Sequence, residues 1–190
     1  MAGERGRIDQ VSTPARALIS VDGLRGRSVL TAARQALAAR GRPRRHDISR
    51  WDASGLFEQL GGAGIEGTPS ARTLLLLYAA DLAFRLRWEI GPALAEGRTV
   101  VAAPYVDTAT AFGRAAGLPA GWLASLFQFA PRPDERHYVD SPVPRSFRAP
   151  DGFIEFSCTR LTGVRSGLAR GQLAARVRAN LRKTAARAIR

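Results

Sequence analysis

The chain has 190 residues, of which 45% are hydrophobic, and it carries a formal net charge of +13. This length and hydrophobic content fit one globular domain with a sizeable core and argue against two full domains. The single cysteine, Cys158, excludes an internal disulfide framework, and two isolated histidines do not make the ligand set of a structural zinc site. The longest apolar run, 74–80, is too short to span a bilayer.

The two ends of the chain differ from its middle. Residues 1–15 are polar and aperiodic and contain no apolar signal region, so we expect a flexible arm on a soluble cytoplasmic protein. Residues 16–190 are expected to form a single domain that ends in a basic helix. The positive charge would attract nucleic acid, another polyanion or an acidic protein at low salt, and no membrane partner is expected.

The hydrophobic pattern alternates between short apolar runs and helical periodicity. It predicts strands at 18–21, 42–49, 98–103, 136–140 and 153–157. It predicts helices at 28–40 with Ser28 as N-cap, 52–60, 68–96 with a break at Gly91-Pro92, 108–116, 118–129 and 167–189, and a loop at 61–67. This alternation is typical of an α/β domain, here three layers around a five-stranded parallel sheet flanked by helices.

Residues 18–31 have the order of a phosphate-binding loop, because an apolar strand enters a glycine-rich turn and leaves as a helix. The charged groups of such a loop are missing. If Gly23 takes the first glycine of G-x-x-x-x-G-K-[ST], Ser28 takes the second, Val29 the lysine and Leu30 the hydroxyl that would hold magnesium. No other register restores the motif, since the only lysine in the chain is Lys183.

Four collinear segments within residues 17–142 resemble thymidylate kinases, a family of P-loop nucleoside monophosphate kinases. VDGLRGRSVLT is similar to the family loop EGxDGxGKST, and LLLLYAADLAFR is similar to its LLFAADR helix. RTVVAAPYVDTATAF followed by GLP resembles the region of DRYxxSxxAY, and PDERHYVDSP resembles PDLTxxLDxP. The resemblance implies a P-loop kinase-like fold, with ATP and magnesium as the cofactors of phosphoryl transfer.

The departures from the family pattern fall on its functional positions. In the loop, Arg25 replaces the aspartate, in addition to the losses at the lysine and the hydroxyl. In the acceptor-binding helix, Tyr78 matches the stacking aromatic and Asp81 is kept, but the arginine position is Leu82.

Further departures follow along the chain. The acid and base of DRY have become Ala103 and Pro104, which leaves Tyr105. About ten residues separate Pro142 from Phe153, too few for the family's basic lid. Loss of one electrostatic donor commonly costs about 3 kcal/mol of transition-state stabilisation, and here four contributors are absent together.

We therefore expect an inactive thymidylate kinase-like protein, a pseudokinase, that binds an unknown protein partner or assembles with itself. No catalytic residue, metal site or cofactor is expected, beyond weak binding of ATP with magnesium. The alternative is a diverged nucleoside or nucleotide kinase that uses ATP. Its anion site would be Gly23, Arg25, Gly26, Arg27 and Ser28, and its acceptor pocket would retain Tyr78, Asp81 and Tyr105. Each of these residues also has a purely structural interpretation as a turn glycine, a surface arginine or a packed side chain.

The basic C-terminal helix supports a third interpretation, a nucleic-acid- or polyanion-binding module. Its apolar seam is predicted at Leu173, Val177, Leu181, Ala185 and Ala188, and its candidate polyanion-binding residues lie off that seam: Arg176, Arg178, Arg182, Lys183 and Arg187. No acid follows Glu155 in the sequence. Because aromatic residues are absent from this helix, binding should depend on phosphate charge and tolerate any base sequence.

Overall fold

The computed structural model describes residues 16–40, 46–62, 69–143, 151–161 and 167–188. The predicted arm at 1–15 and most of the predicted loop at 61–67 lie outside the described residues, as do positions 144–150 of the short connection after Pro142.

The described residues contain four strands and eight α-helices. The strands are β1 (Leu18–Gly23), β2 (His46–Arg50), β3 (Thr99–Ala103) and β4 (Glu135–Val139). The helices are α1 (Gly26–Ala38), α2 (Leu56–Gly62), α3 (Ala71–Arg85), α4 (Gly91–Ala95), α5 (Val106–Ala115), α6 (Ala120–Leu126), α7 (Phe153–Leu161) and α8 (Gly167–Ala188), with a π-helical turn at Leu86–Ile90. The strands lie in the order β2-β3-β1-β4, and all neighbours are parallel.

Both faces of the sheet are covered, because successive side chains of a strand point to opposite faces. In β1, Ile19 and Val21 pack with Val29 and Ala33 of α1 in the smaller apolar cluster. Leu18 belongs to the larger cluster, to which helices α2 to α8 contribute. The predicted α/β fold with a parallel sheet flanked by helices is confirmed.

The predicted fifth strand is wrong, because residues 153–157 begin helix α7. The segment reads FIEFS, and Phe153, Ile154 and Phe156 are all buried together with the polar Glu155 and Ser157. A short run that is buried on all sides has no period that separates a strand from a buried helix. The sheet of the described residues therefore has four strands.

Helix α1 also begins earlier than predicted. Ser28 is not its N-cap: the helix begins at Gly26, and Arg25 occupies the cap position with an extended backbone and no side-chain cap bond. A Cβ atom on Gly26 would lie 2.1 Å from the carbonyl oxygen of Asp151, so only glycine permits this approach of two backbones.

The long helical segment before β3 begins at Ala71, three residues after the predicted 68, and the Ser70 hydroxyl accepts a hydrogen bond from the Thr73 N–H. Helical spacing predicts one packed face of Leu74, Leu77, Tyr78, Asp81, Phe84 and Trp88, which is only partly correct. Leu74, Tyr78 and Asp81 are buried, but Phe84 is 40% exposed and Trp88 is 65% exposed. The π-helical turn precedes Gly91, where a Cβ atom would lie 2.7 Å from the Leu86 oxygen.

Two other helices differ from the prediction in detail. Helix α6 ends at Leu126, three residues short of the predicted end at 129. In α8, Val177 and Leu181 are buried as the seam predicts, whereas Ala188 is exposed and Ala174 is buried instead.

Phe153 is a central side chain of the larger cluster, since it is 1% exposed and its ring contacts Phe57, Tyr78 and Phe112. We predict that Phe153→Ala lowers the free energy of unfolding by about 3 to 5 kcal/mol, through lost burial and the cavity left behind. Urea denaturation measures this. Phe129→Ala is the matched control, because Phe129 is 45% exposed, and it should cost far less. Equal losses would contradict the placement of α7.

Candidate functional site at the carboxyl edge of the sheet

The carboxyl ends of parallel strands meet at one edge of a sheet, and this edge is the usual ligand site of such folds. The structure places the candidate residues of the loop and of the acceptor pocket at this edge. The loop residues lie at the end of β1 and the start of α1, Tyr78 and Asp81 lie on α3, and Tyr105 follows β3. The five candidate polyanion-binding residues lie elsewhere, on α8.

The first N–H group of α1 is already bonded to a carboxylate of the same chain. Glu155 of α7 accepts from the Gly26 N–H at 3.4 Å and from the Asp151 N–H at 3.1 Å. Its other oxygen lies 3.6 Å from Nε of Arg25, and Asp151 lies 3.3 Å from Nε of Arg27. Glu155 therefore lies at the helix N-terminus, where a bound anion would otherwise be stabilised, and Asp151 pairs with a side chain of the first turn.

Burial is the main influence on the Glu155 carboxyl group. It raises the pKa of Glu155, while the hydrogen bonds from the Gly26 and Asp151 N–H groups lower it. The candidate residue Arg27 remains largely exposed, with 83% of its side chain accessible. Ser28 lies in the first turn of α1.

The acceptor-pocket residue Tyr78 is packed on all sides. Its ring lies 4.5 Å from the Phe153 ring and 6.1 Å from the Phe127 ring, between centroids. Its hydroxyl donates to the Tyr105 carbonyl at 2.8 Å, and the Tyr105 hydroxyl donates to the Pro131 carbonyl at 2.9 Å. Burial raises the pKa of both phenols well above the usual range. The position matched to a stacking aromatic thus packs against other aromatic rings of the same chain.

Asp81 is fully buried and organises the turn after β2. Its carboxylate accepts from the N–H groups of Asp52 and Ser54 at 3.1 and 3.0 Å, and from the Ser54 hydroxyl at 2.8 Å. The guanidinium of Arg85 lies 3.9 Å from this carboxylate, a longer contact than the three hydrogen bonds.

Arg85 is a buried residue that the sequence analysis missed. Its guanidinium donates to the Ser49 hydroxyl and carbonyl at 2.9 Å and to the Pro104 carbonyl at 3.0 Å. Ser49 in turn donates to Glu89 at 2.6 Å. The sequence did contain a signal for this residue. Arg85 lies nearly one helical turn after Leu82, which stands at the position where the family has an arginine. All its observed partners are internal.

Asp22, at the end of β1, was also missed. It is 1% exposed, and its Oδ1 accepts from the Tyr105 N–H at 3.0 Å, the Thr108 N–H at 2.9 Å and the Thr108 hydroxyl at 2.7 Å. Its Oδ2 is buried and has no hydrogen-bond partner within the described residues. The sequence signal was a carboxylate directly between a buried strand and the turn glycine Gly23. Burial and the Asp107 carboxylate raise the pKa of Asp22 to about 6, against the lowering effect of those hydrogen bonds.

The described residues do not fit ATP with magnesium in the manner of a phosphate-binding loop. Val29, in place of the lysine, is 2% exposed and packs under the sheet. Leu30 lines an open cavity of about 500 Å³ beside Arg50, Glu89 and Pro104, and it offers no magnesium ligand. Within the described ranges, no three His, Cys, Asp or Glu side chains are grouped to hold a metal ion.

Two relatives and one solved structure are similar to this chain. Probable thymidylate kinase of Pyrococcus horikoshii is 42% identical over 73 residues, which are 38% of this chain and 36% of that protein. Thymidylate kinase of Xanthomonas campestris is 33% identical over 134 residues, which are 70% of this chain and 59% of that protein. The crystal structure of thymidylate kinase from Ehrlichia chaffeensis matches with a TM-score of 0.64 over 92% of this chain and 84% of that chain, at 15% identity.

These relatives and the solved structure support a thymidylate kinase-like P-loop kinase family for this chain. No protein-family model matches it. This thymidylate kinase-like chain spans between about a third and three fifths of the length of the curated relatives named above. Among the helices of its described part, none has both the length and the apolar character of a membrane span.

We predict that Asp22 makes the chain less stable as pH rises from about 4 to about 6. The folded pKa of about 6 exceeds the ordinary value of 3.8, so in this window the folded state holds a proton that the unfolded state has lost. The shift corresponds to about 3 kcal/mol. Urea denaturation at several pH values measures the slope.

The variant Asp22→Asn should reduce this slope, leaving the smaller contributions of Asp52 and Glu155, whose pKa values are also raised. Asp140 does not interfere, because its lowered pKa of about 2 places its effect below pH 4. A slope unchanged in Asp22→Asn would contradict the assignment.

Proposed function

We propose that this thymidylate kinase-like chain does not transfer phosphoryl groups and serves as a scaffold for assembly. One observation carries the proposal: helix α7 packs against the carboxyl edge of the sheet, beside the open cavity of about 500 Å³. Glu155 accepts from the first N–H group of α1, and the Phe153 ring packs against Tyr78. Both halves of the inherited site are thus occupied by side chains of the chain itself.

Displacing helix α7 from this edge of the sheet would be costly. Phe153 and Phe156 are 1% and 6% exposed, and bringing one such side chain into water costs about 1.5 to 3 kcal/mol. The charges that would repay this cost in a kinase are absent, since Val29 and Leu30 replace the loop lysine and hydroxyl. The remaining helix dipole contributes only about 0.3 to 1 kcal/mol toward an exposed anion.

The alternative of a diverged kinase depends on Arg25 and Arg27 as phosphate contacts. Arg25 is paired with the buried Glu155, so a nucleotide would have to displace that carboxylate. Arg27 is mostly solvated and paired with Asp151. These pairings favour the scaffold.

We predict that ATP with magnesium gives no thermal shift at micromolar concentration and that thymidylate is not phosphorylated. Ligand at about 100 times its dissociation constant would stabilise the fold by about 2.7 kcal/mol, which a melting curve resolves. Thymidylate kinase of Xanthomonas campestris is the positive control. Turnover of about 1 per second with stoichiometric chain, abolished by Arg25→Ala, would overturn the scaffold in favour of the kinase.

An exposed apolar stripe on α3 and the following turn is the proposed assembly surface. Leu76, Ala80, Phe84 and Trp88 recur every four residues and are all exposed. Exposed apolar groups gathered in this way mark interaction sites. The small Ala80 at the centre allows two helix backbones to approach closely.

The stripe is complementary to itself, which favours a second copy of the chain as its occupant. In an antiparallel pair related by a twofold axis at Ala80, Leu76 of one copy faces Phe84 of the other, and Arg72 faces Trp88. Arginine over an indole ring is a favourable contact. No position of this pairing opposes two like charges, because Arg87 faces Thr73.

We predict that the chain sediments as a dimer and that Phe84→Glu shifts it to the monomer mass at micromolar concentration. The added carboxylate would lose its hydration at the centre of the paired surface. Phe129→Glu is the matched control, since Phe129 is 45% exposed but lies after α6, and it should leave the dimer intact. A monomeric wild-type chain would contradict this surface.

A further inference from the structure

The basic residues of α8 lie on two different faces of the helix. Each residue of an α-helix turns by about 100°, so Lys183 and Arg187 lie within about 20° of Arg176 around the axis. Arg178 and Arg182 lie about 200° and 240° away. The five candidate cations of the sequence analysis therefore do not form one surface.

The second face is neutralised within the chain. Arg178 donates to one oxygen of Asp140 at 2.6 Å, and Arg182 donates to the other at 2.6 Å. These bonds lower the pKa of Asp140 to about 2. Arg178 and Arg182 thus have a structural partner, and we remove them from the candidate site.

The first face borders a groove between α8 and the end of α5. The groove has a volume of about 590 Å³, and Arg114, Arg176 and Lys183 line it. None of its lining residues is acidic. Asn180 lies between the cations and donates its amide to the Ala111 carbonyl at 3.2 Å. Within the described parts of the chain, none of the three cations forms an ion pair.

We infer that this basic groove binds the phosphate backbone of nucleic acid. Three like charges gathered without an acid repel one another, and phosphate oxygens relieve that repulsion. Arg187 extends the line one turn further, to a length of about 16 Å along the helix. A strand of duplex DNA carries a charge about every 3.4 Å of axis, so several phosphates can lie along this line.

The walls of the groove favour phosphate over a peptide. They are built from Ala115, Ala116, Gly117 and Ala179, which offer neither an aromatic surface for bases nor a deep apolar pocket for a peptide anchor. Binding should therefore follow phosphate charge and ignore base sequence. This function is independent of catalysis and of the α3 stripe.

The test compares two double variants that remove the same charge from the same helix. Fluorescence anisotropy with a labelled 30-base-pair duplex of mixed sequence measures affinity between 50 and 200 mM salt. We expect wild-type affinity to fall about 40- to 150-fold over this range, as three or four phosphate contacts require. Arg176→Ala with Lys183→Ala should lower the logarithmic salt slope by about 2, whereas Arg178→Ala with Arg182→Ala should change it by less than about 0.5.

Two further variants complete the test. Arg114→Ala, on a different element, should lower the slope by about 1, and it carries the test if the first double variant does not fold by circular dichroism. Arg176→Lys with Lys183→Arg should retain binding. Equal losses in both double variants, an affinity independent of salt, or tighter binding of poly-glutamate than of DNA at equal charge would each overturn the inference.

Discussion

The arrangement of the cleft depends on a contact between two glycines. Gly26 begins α1, Gly152 precedes α7, and a Cβ atom on either would clash with the backbone of the facing segment, at 2.1 Å from the Asp151 oxygen or 2.8 Å from the Gly26 Cα. Two backbones therefore touch directly. This contact sets the position from which Glu155 reaches the helix N-terminus and Phe153 reaches Tyr78. The loop glycine at position 26 permits this close packing.

Several acidic side chains of this chain are buried, which affects the charge of its surface. Asp22, Asp81 and Glu155 are at most 5% exposed, so part of a small acidic complement is held inside. Each of these carboxylates accepts hydrogen bonds from backbone N–H groups of the chain. The net charge of +13 therefore understates how positive the solvent-facing side chains are.

Much of the fold could be predicted from the sequence because β1, β3 and β4 are short apolar or alternating runs bounded by turns. Their parallel order follows from the helices between them. Helix α7 could not be predicted in this way, since its burial has no period, and its partners come from positions up to 129 residues away. The early start of α1 could not be predicted either. No side chain caps the helix locally, and the Glu155 carboxylate that accepts from its first N–H group is distant in sequence.

The site shows the same limit. Family resemblance found Tyr78, Asp81 and Tyr105, and the structure does bring them to one edge of the sheet. The resemblance could not show that the polar groups of these three residues bond within the chain. It also could not show that Arg85 and Asp22 complete the buried network. For α8, helical spacing alone could have separated Arg176 from Arg178, but only the position of Asp140 after β4 shows which face is neutralised.

The burial of Val29 limits which residues this position can accept. Its side chain packs with Ile19, Val21 and Ala33 in the apolar layer beneath the sheet. Replacing it with the lysine of a phosphate-binding loop would place an ammonium group in that layer unless the side chain reached solvent, and burying an unpaired charge is among the costliest single changes a core can undergo. A lysine at position 29 therefore meets a stability barrier that is set by the packing of this apolar layer.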